Sequence, residues 1–101
     1  MEPVNKVYAY ITRRDQLLVF RHVDFPEAGI QVPGGTVEGG EAPEVAVMRE
    51  AFEETDIEGL RLVSYLGSHE WEFSEVGHEE LYLRYFFGVR GGGTGCKNQD
   101  R

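Results

Sequence analysis

Seven carboxylates and one arginine fall within residues 35–57, and their spacing restricts this chain more than any other feature. The run goes from Gly35 through five residues to Glu41, then through seven more to Arg49, Glu50, Ala51, Phe52, Glu53, Glu54, Thr55, Asp56 and Ile57. On an α-helix, residues three and four apart share a face, so Glu50, Glu53 and Glu54 point the same way. Like charges at that spacing destabilise a helix by a few tenths of a kcal/mol per pair. A cluster kept in spite of that cost asks for a cation. Hard carboxylate oxygens ask for Mg²⁺, Mn²⁺ or Ca²⁺ rather than zinc.

The rest of the chain bounds the problem. At 101 residues it makes one small domain with room for a single core. Its net charge is −8, and residues 35–57 supply −6 of that through seven acids against one arginine. The acidity therefore belongs to one site, and sequence-independent DNA binding is not expected of it. One cysteine, Cys96, permits neither an internal disulfide nor a multi-cysteine zinc site, and the three histidines lack ligand spacing. With no apolar stretch of membrane-spanning length and no signal-peptide pattern, the expectation is a cytoplasmic protein with no membrane partner.

Residues 7–12 are β-branched and aromatic and read as a strand; 17–21 read as its hairpin partner. A loop containing Pro26 leads to a short strand at 30–32, stopped by Pro33, Gly34 and Gly35. The helix is expected to start near Ala42 with Pro43 in its first turn, burying a stripe of Val45, Met48 and Phe52. Strands are expected at 61–65, 68–73 and 81–89. Residues 91–101, rich in glycine, have almost nothing to bury and read as a disordered tail after a domain of residues 1–90.

At Gly35, Glu41, Arg49, Glu50, Glu53, Glu54 and Ile57 the sequence resembles the Nudix hydrolases, whose signature has this spacing. Ala51 stands at a position where the family has a bulky aliphatic residue. Asp56 stands where the family usually has a glycine of positive φ, which Asp tolerates better than most side chains. The resemblance implies an α/β fold, an α/β/α sandwich with a mixed sheet. Measured against it, the C-terminal strand and helix look missing.

It also implies roles. Glu53 and Glu54 would bind Mg²⁺ (or Mn²⁺) directly, Glu50 would bind it or hold a bound water, and Glu41 would serve a second ion. The Gly34 carbonyl is a further expected ligand, because glycine lets the chain approach an ion closely. Arg49 would orient a carboxylate through a bidentate pair. Gly35, Arg21 and Phe25 are candidates for the substrate side, with Tyr82 and Tyr85 as other rings able to stack a base. Glu79 and Glu80 are candidates for an outlying base.

The expected activity is hydrolysis of a pyrophosphate bond in a nucleoside diphosphate linked to another group, with a nucleotide-type small molecule as partner. The competing reading is a non-catalytic nucleotide- or metal-binding module, weakened by the shortened C-terminal part. Large apolar groups on both faces of strand 81–89 further lead to the expectation of a homodimer, with that last strand or the sheet face at the contact.

Overall fold

The computed structural model describes residues 3–21, 29–75 and 77–91. Phe25, the side chain of Arg21 and the glycine-rich tail beyond Gly91 lie outside the described residues. The elements run β1 (Val4–Arg13), β2 (Gln16–Leu17), β3 (Phe20–Arg21), β4 (Ile30–Gln31), β5 (Gly34–Thr36), α1 (Pro43–Thr55), β6 (Arg61–Glu75) and β7 (His78–Arg90). β1, β2, β5, β6 and β7 form one mixed sheet, in which β1 and β7 run parallel and every other pair runs antiparallel. β3 and β4 make a separate two-stranded sheet.

Alternation decides what each face of the large sheet carries. Val7, Ala9 and Ile11 of β1, with Phe87 and Val89 of β7, turn to one face and are closed off by Ala46, Val47 and Ala51 of α1. That is the core. Lys6, Tyr8, Tyr10, Arg84 and Phe86 turn to the other face, where residues of β3 and β4 stand opposite them across a cleft. The mixed sheet and its helix agree with expectation. On the second face the described residues supply the small sheet.

Residues 17–21 do not form one continuous strand. Leu17 pairs with Thr12, and the Leu18 amide still donates to the Ile11 carbonyl at 2.9 Å. Beyond that point the same edge of β1 is taken by β5, with Tyr8 opposite Gly34 and the Ala9 amide donating to the Pro33 carbonyl. The chain has to leave the sheet, and it resumes as β3. Likewise Pro33 does not end the extended segment after β4, because Gly34 to Thr36 continue as β5. The break expected between 65 and 68 is instead a run of register shifts within the single strand β6.

The helix begins where expected, with Ala42 as its N-cap, and ends at Asp56 in the left-handed region (φ 60°), whose amide donates to the Phe52 carbonyl. Its buried stripe differs from the expected one. Ala46, Val47, Ala51 and Thr55 are buried, whereas Val45 is 58% and Phe52 45% exposed; Met48 only borders the core. At about 100° per residue, Glu50 and Phe52 lie on opposite flanks of Ala51. Turning Glu50 toward β5 therefore turns Phe52 away from the sheet. Small residues fill the contact because the helix lies close against the strands.

This rotation is testable by chemical denaturation. Ala51→Leu overfills a sealed contact and is expected to cost about 1–3 kcal/mol. Val45→Ser should stay within about 0.5 kcal/mol of the parent. The opposite ranking would restore the stripe of Val45, Met48 and Phe52.

Candidate active site

β5 is an edge strand, and its outer side is where the acidic helix meets the sheet. In an antiparallel ladder alternate residues turn both backbone groups away from the partner strand. Gly34 and Thr36 are such residues. The Gly34 amide donates to Glu54 Oε1 at 2.9 Å, and the Thr36 carbonyl accepts from Arg49 Nη2 at 3.2 Å. The Gly34 carbonyl belongs to the same outward edge.

Both glycines are required by contact. A Cβ on Gly35 would run into the Glu50 carboxyl group, so Glu50 lies directly against the strand. A Cβ on Gly34 would lie 2.6 Å from the Val7 carbonyl oxygen and 2.7 Å from the Tyr8 ring. The adjoining residues Gly34 and Gly35 thus carry two carboxylates of the helix, Glu54 and Glu50, four residues apart and one turn from each other.

Arg49 organises the remaining acids. Its Nε and Nη2 donate to the two oxygens of Glu41 at 2.7 and 2.9 Å, the expected bidentate fork. Its Nη1 donates to Glu50 Oε2 at 2.9 Å and, more loosely, to Glu53 Oε1 at 3.4 Å. Glu41 also accepts from the Glu38 amide at 3.0 Å. The Arg49 hydrogen bonds, followed by that amide, hold the Glu41 carboxyl at a pKa of about 2, and the same pairing pushes Arg49 further up. Glu41 is thus ionised throughout the ordinary pH range.

The structure brings Glu41, Glu50 and Glu53 to one guanidinium and Glu54 to the neighbouring glycine. Among the described residues no three acidic, histidine or cysteine side chains converge tightly enough to form a ready cation cage, because Arg49 stands between them. The donor chemistry still suits a hard divalent ion: Glu50 and Glu54 offer oxygens at Gly34 and Gly35, and Glu53 is largely exposed and held only loosely by Arg49.

Glu54, Gly34 and Gly35 also line the cleft between the two sheets, which has a volume of about 490 Å³. That volume falls within the range of small-molecule sites. Its floor is the ring pair Tyr8–Phe86, with centroids 5.4 Å apart and planes 19° from parallel, with Tyr10 tilted against Phe86 at 6.1 Å. Lys6 and Arg84 supply positive charge. The sequence reading missed Lys6, Tyr8, Tyr10, Arg84 and Phe86. The even parity of 6, 8, 10, 84 and 86 was the available signal. Of the stacking candidates, Tyr85 packs on the core side and Tyr82 lies beside Trp71. Glu80 accepts a hydrogen bond from the Tyr82 hydroxyl, which raises the Tyr82 pKa.

The two glycines should separate fold from function. Gly34→Ala sets a Cβ against backbone and is expected to cost about 1–3 kcal/mol. Gly35→Ala meets only the end of a flexible side chain, so its Tm should stay near the parent value while Glu50 is displaced. Thermal melts of both variants, read beside activity, check this; a large stability loss in Gly35→Ala would contradict it.

The sequence matches the NUDIX domain over residues 3–100. Among solved structures, the chain is similar to a NUDIX hydrolase from Nitrosomonas europaea at 25% identity and a TM-score of 0.70, covering 91% of this chain and 61% of that one. It is also similar to a UDP-X diphosphatase (21% identity, TM-score 0.71, 92% and 44% covered) and to a NUDIX-family hydrolase from Clostridium perfringens (17%, 0.69, 92% and 70%). The chain spans about three fifths of the first of these structures and less than half of the second. No curated protein sequence matches it. The fold, the glycine pair seated under the helical glutamates and the span of the match agree: the chain belongs to the Nudix family.

Proposed function

We propose that this protein is a divalent-metal-dependent hydrolase of a pyrophosphate bond in a nucleoside diphosphate linked to another group. The observation that carries the reading is the seating of Glu50 and Glu54 on Gly34 and Gly35 at the margin of the cleft. A phosphate chain lying there meets the carboxylates, and an ion held by them would offset its charge. Glu50, Glu53, Glu54 and the Gly34 carbonyl are the residues assigned to the ion, Mg²⁺ with Mn²⁺ as a substitute; Glu41 is assigned to a second. A divalent ion at such a site supplies charge neutralisation and lowers the pKa of an attacking water.

The chain's own groups have separate tasks. Arg49 anchors Glu41 and steadies Glu50, so that the helix keeps its acids on the β5 edge in spite of their repulsion. The Gly34 amide fixes Glu54. Gly35 leaves the space that Glu50 occupies. The aromatic floor excludes water from one side of a bound substrate. No helix among the described residues is long and apolar enough to cross a membrane. A cytoplasmic location is proposed on the single cysteine and a nucleotide substrate.

We also propose a homodimer. β7 is paired on both sides, by β1 and β6, so it offers no edge to a partner. The terminal strand of the sheet on that side is β6, which exposes Leu62, Val63, Tyr65 and Leu66. Contiguous apolar exposure of this kind favours an interface. Sedimentation at micromolar concentration is expected to show a dimer that Val63→Glu with Leu66→Glu dissociates; a parent sedimenting as a monomer refutes it.

For the hydrolase, a panel of nucleoside diphosphate derivatives is incubated with Mg²⁺ and the products are resolved. Glu53→Gln and Glu54→Gln are each expected to lower activity by roughly 100-fold or more, the upper end for a disturbed ligand environment. Mg²⁺ affinity should fall and the fold should be retained. Unchanged turnover in both variants would sink the assignment. Binding without hydrolysis across the panel, in the parent, would favour the non-catalytic module.

A further inference from the structure

The cleft has a built-in polarity that the acidic helix does not explain. Glu54 lies at its β5 margin, and across the sheet from β5 through β1 to β7 the lining changes to cations and rings. Register makes the layout explicit. Thr36, Lys6, Arg84 and His69 form one row of the sheet, and Gly34, Tyr8, Phe86 and Gly67 form the next. Neighbouring strands are about 4.8 Å apart, so β5 and β7 stand roughly 10 Å apart. That is the span of a ribose and its base.

Arg84 lines the cleft with its guanidinium carbon 5.2 Å from the centroid of the Trp71 ring. Its Nε is shielded from solvent and has no hydrogen-bond partner among the described residues, so a ligand in the cleft would meet Arg84 through its terminal nitrogens. Lys6, beside it in the same row, donates to Thr36 Oγ1 at 2.9 Å. Arginine and lysine are donors only. Beyond the β5 margin, the face formed by β1 and β7 therefore offers flat rings for stacking and donors for oxygen, and its two cations would face an exocyclic amine unfavourably.

We propose that Tyr8, Phe86, Arg84 and Lys6 form a base subsite that selects a nucleobase bearing a carbonyl oxygen, such as uracil or guanine, over adenine. It deepens the hydrolase reading and rests on the same cleft. The base stacks against the Tyr8–Phe86 pair, and its oxygen accepts from Arg84. The phosphates then extend along the face toward Gly34 and Glu54. Arg84 acts as a specificity residue through the base and takes no part in bond cleavage.

Trp71 is the single tryptophan of the chain, and it sits against Arg84, so its fluorescence reports on this subsite without turnover. The full chain in EDTA buffer is titrated with UMP, GMP, AMP and, as a base-free control, ribose 5-phosphate; calorimetry is run in parallel. UMP or GMP is expected to bind roughly 5- to 100-fold more tightly than AMP, the discrimination typical of a donor pair reading a base edge. Ribose 5-phosphate should bind more weakly still. Arg84→Met should abolish the preference, with Arg84→Lys and Tyr8→Leu as folded alternatives that weaken it. Equal binding of AMP, binding of ribose 5-phosphate as tight as that of the nucleotides, no binding by either method, or an intact preference in folded Arg84 variants overturns the proposal. Base-selective binding by a chain that hydrolyses nothing would overturn the hydrolase reading and leave this one standing. Turnover with no base preference would do the reverse.

Discussion

The guanidinium of Arg49 is the interaction on which the rest of the site depends. It joins three parts of the chain: the loop through Glu41, the strand through the Thr36 carbonyl, and the helix through Glu50 and Glu53. Acids gathered on one helical face repel one another, and a single planar cation placed among them offsets that repulsion while fixing their directions. A lysine would bring the same charge to one point and lack the planar fork. The spacing of the acidic run is thus a structural statement before it is a chemical one. It sets the rotation of α1, and that rotation sets which apolar residues face the sheet.

Much of this was legible in the residues, for reasons that differ by element. The helix could be read from its limits: Pro43 is tolerated at the start, and Asp56 accepts the left-handed conformation at the end. The acids could be placed because i, i+3 and i+4 spacing has one geometric meaning. The buried stripe departs from expectation because side-chain size is a poor sign of burial at this contact. Ala46 and Ala51 are inside because nothing larger fits between helix and sheet, and sequence alone does not show how close two elements approach. The split of residues 17–21 was hidden for a related reason. Whether Leu18 and Val19 remain paired depends on β5 having taken the same edge of β1, a long-range competition with no local signature.

The cleft is the feature least visible in the sequence. The residues of its floor come from β1 and β7, 74 to 80 positions apart in sequence, and they meet only because the two strands are parallel neighbours. The register offsets them by 78 residues, an even number, so even positions of both strands share a face and odd positions share the other. A slip of one residue would send Phe87 and Val89 to the cleft and Arg84 and Phe86 into the core. The identity of the face is therefore set by the core residues. Val7, Ala9 and Ile11 on one side demand Phe87 and Val89 opposite the helix, and the aromatic and cationic face follows.

That same pairing governs how the chain can be made. β1 is synthesised well before β7, which lies roughly 80 residues further along the chain. Until residues near 90 have left the ribosome, β1 can pair only along one edge, with β2 and β5, and its other edge lies open. Contacts of such sequence separation form slowly, because a long loop must close before they give any return. During that interval Val7, Ala9 and Ile11 form an unfinished apolar strand, the kind of segment that chaperones hold and that aggregates when they do not. β1 is sealed only when β7, made much later, reaches it.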